Sequence, residues 1–599
     1  MATVESLTAQ IAEQSALLND LRKQQAEASV VEEVKKKLGE LKRTLGQLSG
    51  GSSKEGGKKK ERILLKTPKV RTARFADSSR ELTGCQGTRD YGPGEMHCRE
   101  HIERILKDCF TTYGGSCLDT PVFERKEILA GKYGEDAKLI FDLKDQGGEE
   151  LALRYDHTVP LARYLAMNGA TTQAKLWQIG KVYRRDNPVM SKGRMREFSQ
   201  ADFDIAGAYD TMIPDAEIIS LLCTILTRLE VGDFTVKLNH RKILDGIFEV
   251  CGVPSDKIRT ISSAVDKLDK MAWVDVKKEM TEEKGLDPAT ADKIGEYVKH
   301  KGGPGLLEQL RADDALMGNA SAKLGIEEMG ILFQYLEAYK VVDKISFDMS
   351  LARGLDYYTG IIYEAITEAS APPGFTASNA FAAPSDAAPA PAPAPEPKKE
   401  KKKKPVNGDE EEEEIDESKV GVGSIAAGGR YDNLVGMFTA AAAGEGKKAA
   451  QLPCVGVSIG MDRIFAIVWP KWVERGMRSK DTMAYVMAAG DGLLTERLQL
   501  VQELREAGIK TDFMFKKKAK LPAQFTAGER DEVPFAVILG EEEIKQGLVT
   551  VKEQRWEIVN GEKRKVQNDD KGIKIKRAEL IDWIKSTPTY QGWSTGKLA

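Results

Sequence analysis

Histidine and cysteine are both scarce in this chain of 599 residues, which has five of the first and seven of the second. The cysteines are odd in number and contain no C-x-x-C pair, which argues against a disulfide framework or a zinc finger and points to a reducing compartment. No apolar run reaches the length of a membrane span, so no membrane is expected as a partner. Charge of one sign is lacking too. The formal net charge is -3 and the isoelectric point about 6.2, so any contact with nucleic acid has to come from local basic patches. The opening segment carries Glu5, Glu13, Asp20 and Glu27, unlike an acid-poor transit peptide, and a cytoplasmic protein is expected.

What the chain does have is length and apolar bulk. With 41% hydrophobic residues it exceeds a single core and reads as several domains. Residues 1–50 hold two helical runs: Leu7, Ile11, Leu18 and Leu21, then Val34, Leu38, Leu41, Leu45 and Leu48. Ser29 and Glu32 form a capping box between them, giving a helical hairpin with Lys35, Lys36, Lys37, Lys42 and Arg43 outside. Such heptads suit a coiled-coil contact, and such lysines suit RNA. Residues 51–82 read as a tether, rich in Gly, Ser and Lys at its start.

The centre of the chain is the stretch Gln178 to Gly207, where apolar and polar residues alternate on both sides of an Asn-Pro…Ser-Lys-Gly loop, the pattern of a long β-hairpin. Arg184, Arg185, Arg194 and Arg196 cluster near its tip, with Gln200, Asp202 and Asp204 further down the returning arm. Charges on a hairpin can simply solvate it, but guanidinium groups above a carboxylate row suit a phosphate held beside an amine.

The order Tyr183, Arg184, Asp186, Arg196, Phe198 resembles motif 2 of the class II aminoacyl-tRNA synthetases, with Asp186 standing where the family usually has Glu. Thr120-Pro121-Val122-Phe123-Glu124 resembles the motif 1 strand, and Cys454 to Ile464, with Gly460 at its turn and Arg463 beyond, resembles motif 3. Leu351 to Glu364 (L-A-R-G-L-D-Y-Y-T-G-I-I-Y-E) and Ala427 to Asp432 (A-G-G-R-Y-D) are similar to the two segments specific to histidyl-tRNA synthetases.

The fold this implies is α+β and multidomain. A class II catalytic core on an antiparallel sheet would occupy 83–475, interrupted by a helical insertion at 233–341 and by a disordered insertion at 371–419. The latter alternates Ala and Pro before a lysine block and a glutamate block. An α/β anticodon-binding domain would follow at 480–599, with Lys516, Lys517, Lys518 and Lys520 as its basic loop, and the N-terminal hairpin would be a WHEP-like appendix. A homodimer built on motif 1 is implied, as is closure of the helical insertion over the acceptor arm of tRNA.

The resemblance also implies the chemistry: histidine is activated with ATP and Mg²⁺, then attached to tRNA(His). Arg184, Arg353 and Arg463 are the expected catalytic cations. Asp156, Thr158 and Gln200 are expected to hold the α-amino group, Asp204 and Tyr358 the imidazole, with Tyr357 in support, Tyr431 as a pocket wall, and Arg184 and Arg353 at the carboxylate. Asp186, Arg194, Arg196, Phe198 and Gly460 complete the ATP site with Arg184 and Arg463. Adjacent tyrosines in a strand face opposite ways, so only one of Tyr357 and Tyr358 is expected in the pocket. His157 has no assigned role, and strand alternation is expected to turn it away from Asp156. His97-Cys98-Arg99-Glu100-His101 matches the short H-x-x-E-H zinc pattern, but no third ligand stands out, and no metal site is expected. The alternative reading is a catalytically silent relative that senses histidine or uncharged tRNA.

Overall fold

The computed structural model describes Val34, Lys37 and residues 87–594, the latter without 130, 145–146, 170, 191–192, 270, 353–356, 369, 371–422, 444–450, 479, 491–492, 560–561 and 567–571. The N-terminal hairpin apart from helical Val34 and Lys37, the tether, the charged insertion and Arg353 thus lie outside the described residues. The chain divides into two compact units, Met1–Leu64 and Leu65–Ala599, and the second carries everything below.

Helix α1 (Pro93–Thr112) opens where the Gly92 amide donates to Glu95 Oε2 at 3.0 Å, and Pro93 at its first position lacks an amide that would go unpaired anyway. Its buried residues Cys98, Ile102, Leu106, Cys109 and Phe110 recur at three and four. Strands β1 (Ser116–Cys117), β2 (Phe123–Arg125) and β3 (Leu151–Leu153) precede helix α2 (Thr158–Met167). The alternating stretch forms β4 (Gln173–Tyr183) and β5 (Glu197–Gly207), paired antiparallel from Gln173 opposite Gly207 to Tyr183 opposite Glu197. Then come α3 (Ile213–Arg228), β6 (Phe234–His240), α4 (Arg241–Cys251), α5 (Ile258–Val265), β7 (Lys301–Gly302), α6 (Ala320–Ala338), β8 (Ile345–Asp348), β9 (Ile361–Thr367), β10 (Ala426–Arg430), β11 (Cys454–Gly460) and α7 (Met461–Glu474).

These strands make one nine-stranded sheet in the order β1-β4-β5-β11-β10-β9-β6-β8-β7. From β4 to β6 every neighbour is antiparallel. Side-chain alternation along β5 assigns the two faces. Ala201, Phe203 and Ile205 join the main core, where the Phe203 ring lies 5.4 Å from Phe110 of α1. Gln200, Asp202 and Asp204 point the other way, and all three are buried. A strand that buries carboxylates on one face needs something there to receive them.

One expected boundary is corrected. The helical insertion does not begin at 233, because β6 is an interior strand of the sheet, pairing with β9 and β8; the helices start at Arg241. The chain has to complete that strand before it can leave the sheet.

Strands β9 and β10 are antiparallel neighbours on either side of the charged insertion. The Gly423 amide donates to the Ser370 carbonyl at 2.8 Å, so the residues flanking the insertion already close a loop. Replacing 371–422 with a short Gly-Ser turn should therefore leave the melting temperature within a few degrees, since loop length enters closure entropy only logarithmically. A calorimetric scan checks this, and a collapse of the melting temperature would mean that the insertion packs on the body.

The C-terminal domain has strands β12 (Ala484–Ala489), β13 (Thr511–Phe513), β14 (Phe535–Gly540), β15 (Leu548–Glu553), β16 (Trp556–Val559), β17 (Glu562–Lys565) and β18 (Ile573–Lys576), with helices α8 (Leu494–Glu506) and α9 (Leu521–Arg530). Its sheet runs β13-β12-β14-β15-β18, parallel over the first three strands and antiparallel over the rest. Ala484 and Val486 pack with Leu500 and Leu504 of α8, while Tyr485 and Met487 pack with Leu521 and Phe525 of α9. Period-two alternation in β12 thus buries both faces.

Candidate active site

The face of the main sheet opposite α1 opens into a cavity of about 460 Å³. Asp156, at the entrance to α2, is buried and accepts from the Tyr133 hydroxyl at 2.9 Å, the Val159 amide at 3.1 Å and the Tyr357 hydroxyl at 3.3 Å. Burial raises its pKa and these donors work against the rise. Thr158 heads the same helix and lines the cavity, as does Gln200. Gln200 donates to Asp202 at 3.2 Å, and Ser458 donates to Asp202 at 2.5 Å from β11. Burial, then the neighbouring Asp204 charge, holds the Asp202 carboxyl well above the usual carboxylate range.

Asp204 and Tyr431 form a buried pair, the hydroxyl donating at 2.6 Å. Asp204 is pushed up to about 7 by burial, with the Tyr431 hydroxyl opposing and Asp156 adding to the shift. Both expected tyrosines reach the cavity, which corrects the strand argument: Tyr357 and Tyr358 precede β9, in a turn where alternation does not apply. Their rings meet edge to face at 5.0 Å. Asp204 and Tyr431 do not themselves line the cavity, and the hydroxyl on Asp204 is that of Tyr431, not Tyr358.

Cations line the same cavity. Arg184 lies between two rings, 4.3 Å from Tyr155 and 5.1 Å from Phe198, and donates to the Tyr155 carbonyl at 3.1 Å and to Gln200 Oε1 at 2.9 Å. Phe198, Gly460 and Arg463 line the same space. Arg463 Nη1 donates to the Ser424 carbonyl. The residue before it, Asp462, gathers the Tyr91 hydroxyl, Arg99 Nη1 and the Ser199 amide, the last at 2.6 Å. That carboxylate ties the first turn of α7 to α1 and β5, so it sets where Arg463 starts. Sequence reading missed Tyr91, Arg99 and Asp462, because their partners stand hundreds of positions apart.

Three expected ATP residues do not line the cavity. Asp186 receives Arg194 at 2.7 and 2.8 Å, and the Asp186 carbonyl receives Arg196 Nε at 3.2 Å, so the hairpin tip is closed on itself. Arg353 lies outside the described residues. The carbonyls just before it are held by Asn239 Nδ2 at 2.9 Å on Leu351 and Ser262 Oγ at 3.2 Å on Ala352. Arg241 and Arg259 also line the cavity, from the helical insertion, where composition offered no signal. His157 is buried, does not line the cavity, and is pulled down to about 3 by burial and by Arg154; Nε2 sits 3.4 Å from the Gly180 carbonyl. It follows the end of β3 and caps α2, so strand alternation does not apply to it either.

Comparison with known proteins fits this geometry. The histidyl-tRNA synthetase family model matches residues 87–373, and the anticodon-binding domain model matches 483–587. A histidine–tRNA ligase of Danio rerio is 44% identical over 588 residues, 98% of this chain and 99% of its own. The chain belongs to the histidyl-tRNA synthetase family.

A cytoplasmic histidine–tRNA ligase of Takifugu rubripes is 48% identical over 84% of this chain and 88% of its own, and a mitochondrial one of Saccharomyces cerevisiae is 46% identical over 88% of each. Among solved structures, the histidyl-tRNA synthetase of Nostoc sp. PCC 7120 matches at 26% identity and a TM-score of 0.61, covering 85% of this chain and 99% of that one. A histidyl-tRNA synthetase is a class II ligase, and the antiparallel sheet, the Arg184 hairpin and the Arg463 turn stand in the order of motifs 2 and 3. Among the described residues no helix is long and apolar enough to cross a membrane.

The H-x-x-E-H pattern of this synthetase is a packing feature of α1. His97 and His101 lie 5.8 and 5.1 Å from the Trp472 ring of α7, and burial pulls His101 down to about 4. Among the described residues no three His, Cys, Asp or Glu side chains converge into a metal cage. Mg²⁺ typically keeps its waters and binds through one or two carboxylates plus nucleotide phosphates, so this donor set fits an ion that arrives with ATP. Glu364 lines the cavity from β9 but is buried and lies 3.3 Å from Lys237 Nζ.

Proposed function

We propose that this chain activates L-histidine with ATP and transfers it to tRNA(His), and that the cavity over the main sheet is where both steps occur. The observation that carries the reading is that Arg184 and Arg463 line one cavity together with the buried, hydrogen-bonded Asp156. The histidine carboxylate attacks the α-phosphate in line, a C–O–P bond forms, and pyrophosphate leaves with its electron pair. Charge spreads over the phosphoryl oxygens, and fixed cations stabilise it. Arg184 bridges the attacking carboxylate and the α-phosphate. Arg463 holds the adenine side and the outer phosphate, and Arg353 adds a third cation. Mg²⁺ arriving on the ATP phosphates would supply further charge neutralisation.

Asp156, Thr158 and Gln200 receive the α-amino group; Asp204 and Tyr358 pair with the imidazole, with Tyr357 and Tyr431 fixing the carboxylates. A site of buried hydrogen bonds rejects analogues by about 10⁴ to 10⁵ without editing. The exposed Phe123, at 55%, and Val122 beside β2 support the homodimer expected from motif 1. The silent-sensor alternative gains nothing from a cavity that keeps its arginines. The test is pyrophosphate exchange into ATP across all twenty amino acids: exchange with histidine alone is expected, and absence of exchange would revive the sensor.

The raised Asp204 sets a pH dependence. Below about 7 the carboxyl holds a proton in the folded chain, so its charge is absent and the imidazole N–H loses an ionised acceptor. Histidine kcat/KM should therefore rise as pH rises through about 7. The Tyr431 hydroxyl favours the ionised form, so Tyr431→Phe should move that inflection upward. The titration of the substrate's own imidazole stays where it is, and an unmoved inflection in the variant would assign the limb to substrate.

A further inference from the structure

We propose that Phe515 is a stacking platform for an unpaired base of single-stranded RNA, with Lys516, Lys517 and Lys520 holding the flanking phosphates. The inference rests on the reading of this domain as the anticodon-binding one and names a contact within it. Phe515 is 80% exposed, the most exposed large apolar side chain described. A lone exposed apolar residue is ordinary on a protein surface. This one differs in how it is held.

The loop from 514 to 520 leaves the carboxyl end of β13, which is parallel to β12, the end of a parallel sheet where ligands are characteristically taken up. Arg497, only 2% exposed, reaches from α8 and donates to the Lys516 carbonyl at 2.8 Å and to Gln524 Oε1 at 3.2 Å. Gln524, fully buried in α9, donates to the Ala519 carbonyl at 2.9 Å and exchanges bonds of 3.0 and 2.9 Å with the Ala488 backbone. The loop is thus pinned at Lys516 and Ala519 by two buried polar side chains, one of them a cation whose desolvation is unfavourable. The Phe515 ring stands edge to face on Phe513 at 4.8 Å, and the Arg497 guanidinium lies 5.5 Å from the Phe513 ring. A fixed ring with one face outward is what a base stacks on, and fixing it beforehand removes ordering entropy from binding.

The lysines supply the second half. Lys516, Lys517 and Lys520 are exposed, and among the described residues none of the three enters an ion pair with Asp or Glu. A ring amid lysines fits an RNA loop, whose bases are unstacked and whose phosphates are close, better than an apolar protein face, which would leave the ammonium groups unmatched.

The test uses the full chain and two RNAs, a tRNA(His) transcript and the same transcript with abasic nucleotides in its anticodon loop. Phe515→Ala should weaken the intact RNA roughly five- to a hundredfold with an unchanged salt slope. It should add little loss on the abasic RNA. Phe515→Trp should bind like the parent, with its indole emission quenched by the intact RNA only. Lys516→Ala with Lys517→Ala should instead lower the salt slope by about one per lysine on both RNAs. If Phe515→Ala is silent, or equally harmful with both RNAs, while the lysine changes weaken binding, stacking is wrong and the anticodon reading stands. If neither set alters affinity, the loop does not face RNA and both readings of it fall. The exposed ring carries little of the fold, so unchanged melting curves confirm that the variants are intact.

Discussion

Replacing Arg184 by lysine should lower histidine activation by two to three orders of magnitude, with the melting temperature moved by a few degrees at most. The charge survives the change; the fork does not. Arg184 uses Nε on the Tyr155 carbonyl and one terminal nitrogen on Gln200, with its plane between the Tyr155 and Phe198 rings. That arrangement leaves the remaining donor directions set before substrate arrives, whereas an ammonium on a flexible stem has to be positioned as charge develops. Losing one preorganised donor of this kind typically costs about 2.7 to 4 kcal/mol in the chemical step. The expected signature is a fall in kcat for pyrophosphate exchange that far exceeds any change in histidine or ATP affinity. Transfer from supplied histidyl-adenylate to tRNA should suffer much less, because the phosphoryl centre has already reacted. If lysine retained most of the activation rate, Arg184 would be a charge alone, and the bridging role would have to pass to Arg463 or Arg353.

What could be read from the sequence follows from the range of the interactions involved. The hairpin was legible because β4 and β5 carry period-two alternation over eleven residues each, and alternation also sorted Gln200, Asp202 and Asp204 onto one face. The helical insertion was legible as helix but was started too early, because the seven residues of β6, Phe234 to His240, alternate apolar and polar and mark a strand that a boundary at 233 passes over. Tyr357 and Tyr358 were misread by extending β9 backward through a turn. The Asp462 cluster was invisible, since Tyr91, Arg99 and Ser199 come from three separate elements and no local pattern links them. Gly456 is the sharpest case. In sequence it is one small residue in an apolar strand, and only the neighbouring strand gives it a role.

Gly456 lies on β11 opposite Asp204 of β5 and opposite Gly429 of β10. A methyl group there would stand 1.7 Å from Asp204 Oδ1 and 2.5 Å from its Cγ, so the carboxylate occupies the volume that the glycine leaves open. Alanine is tolerated in a strand backbone, and the Tyr363 hydroxyl donates at 2.6 Å to the Gly456 main-chain carbonyl, a bond that needs no glycine side chain. Gly456→Ala should therefore fold, yet it must expel the Asp204 carboxylate from its place and break the 2.6 Å bond from Tyr431. Losing a hydrogen bond to a charged group costs about 1.5 to 3 kcal/mol, which for the group proposed to receive the imidazole means a rise in histidine KM of roughly tenfold to a hundredfold or more. ATP binding, for which Arg184 and Arg463 are the proposed residues, should change far less. A double-mutant cycle makes the cause visible. With Asp204→Ala the clash disappears, so adding Gly456→Ala to that variant should cost almost nothing further, and the two losses should be strongly non-additive. If instead they multiplied, Gly456 would be acting through the backbone of β11, and Asp204 would not be the group whose room it preserves.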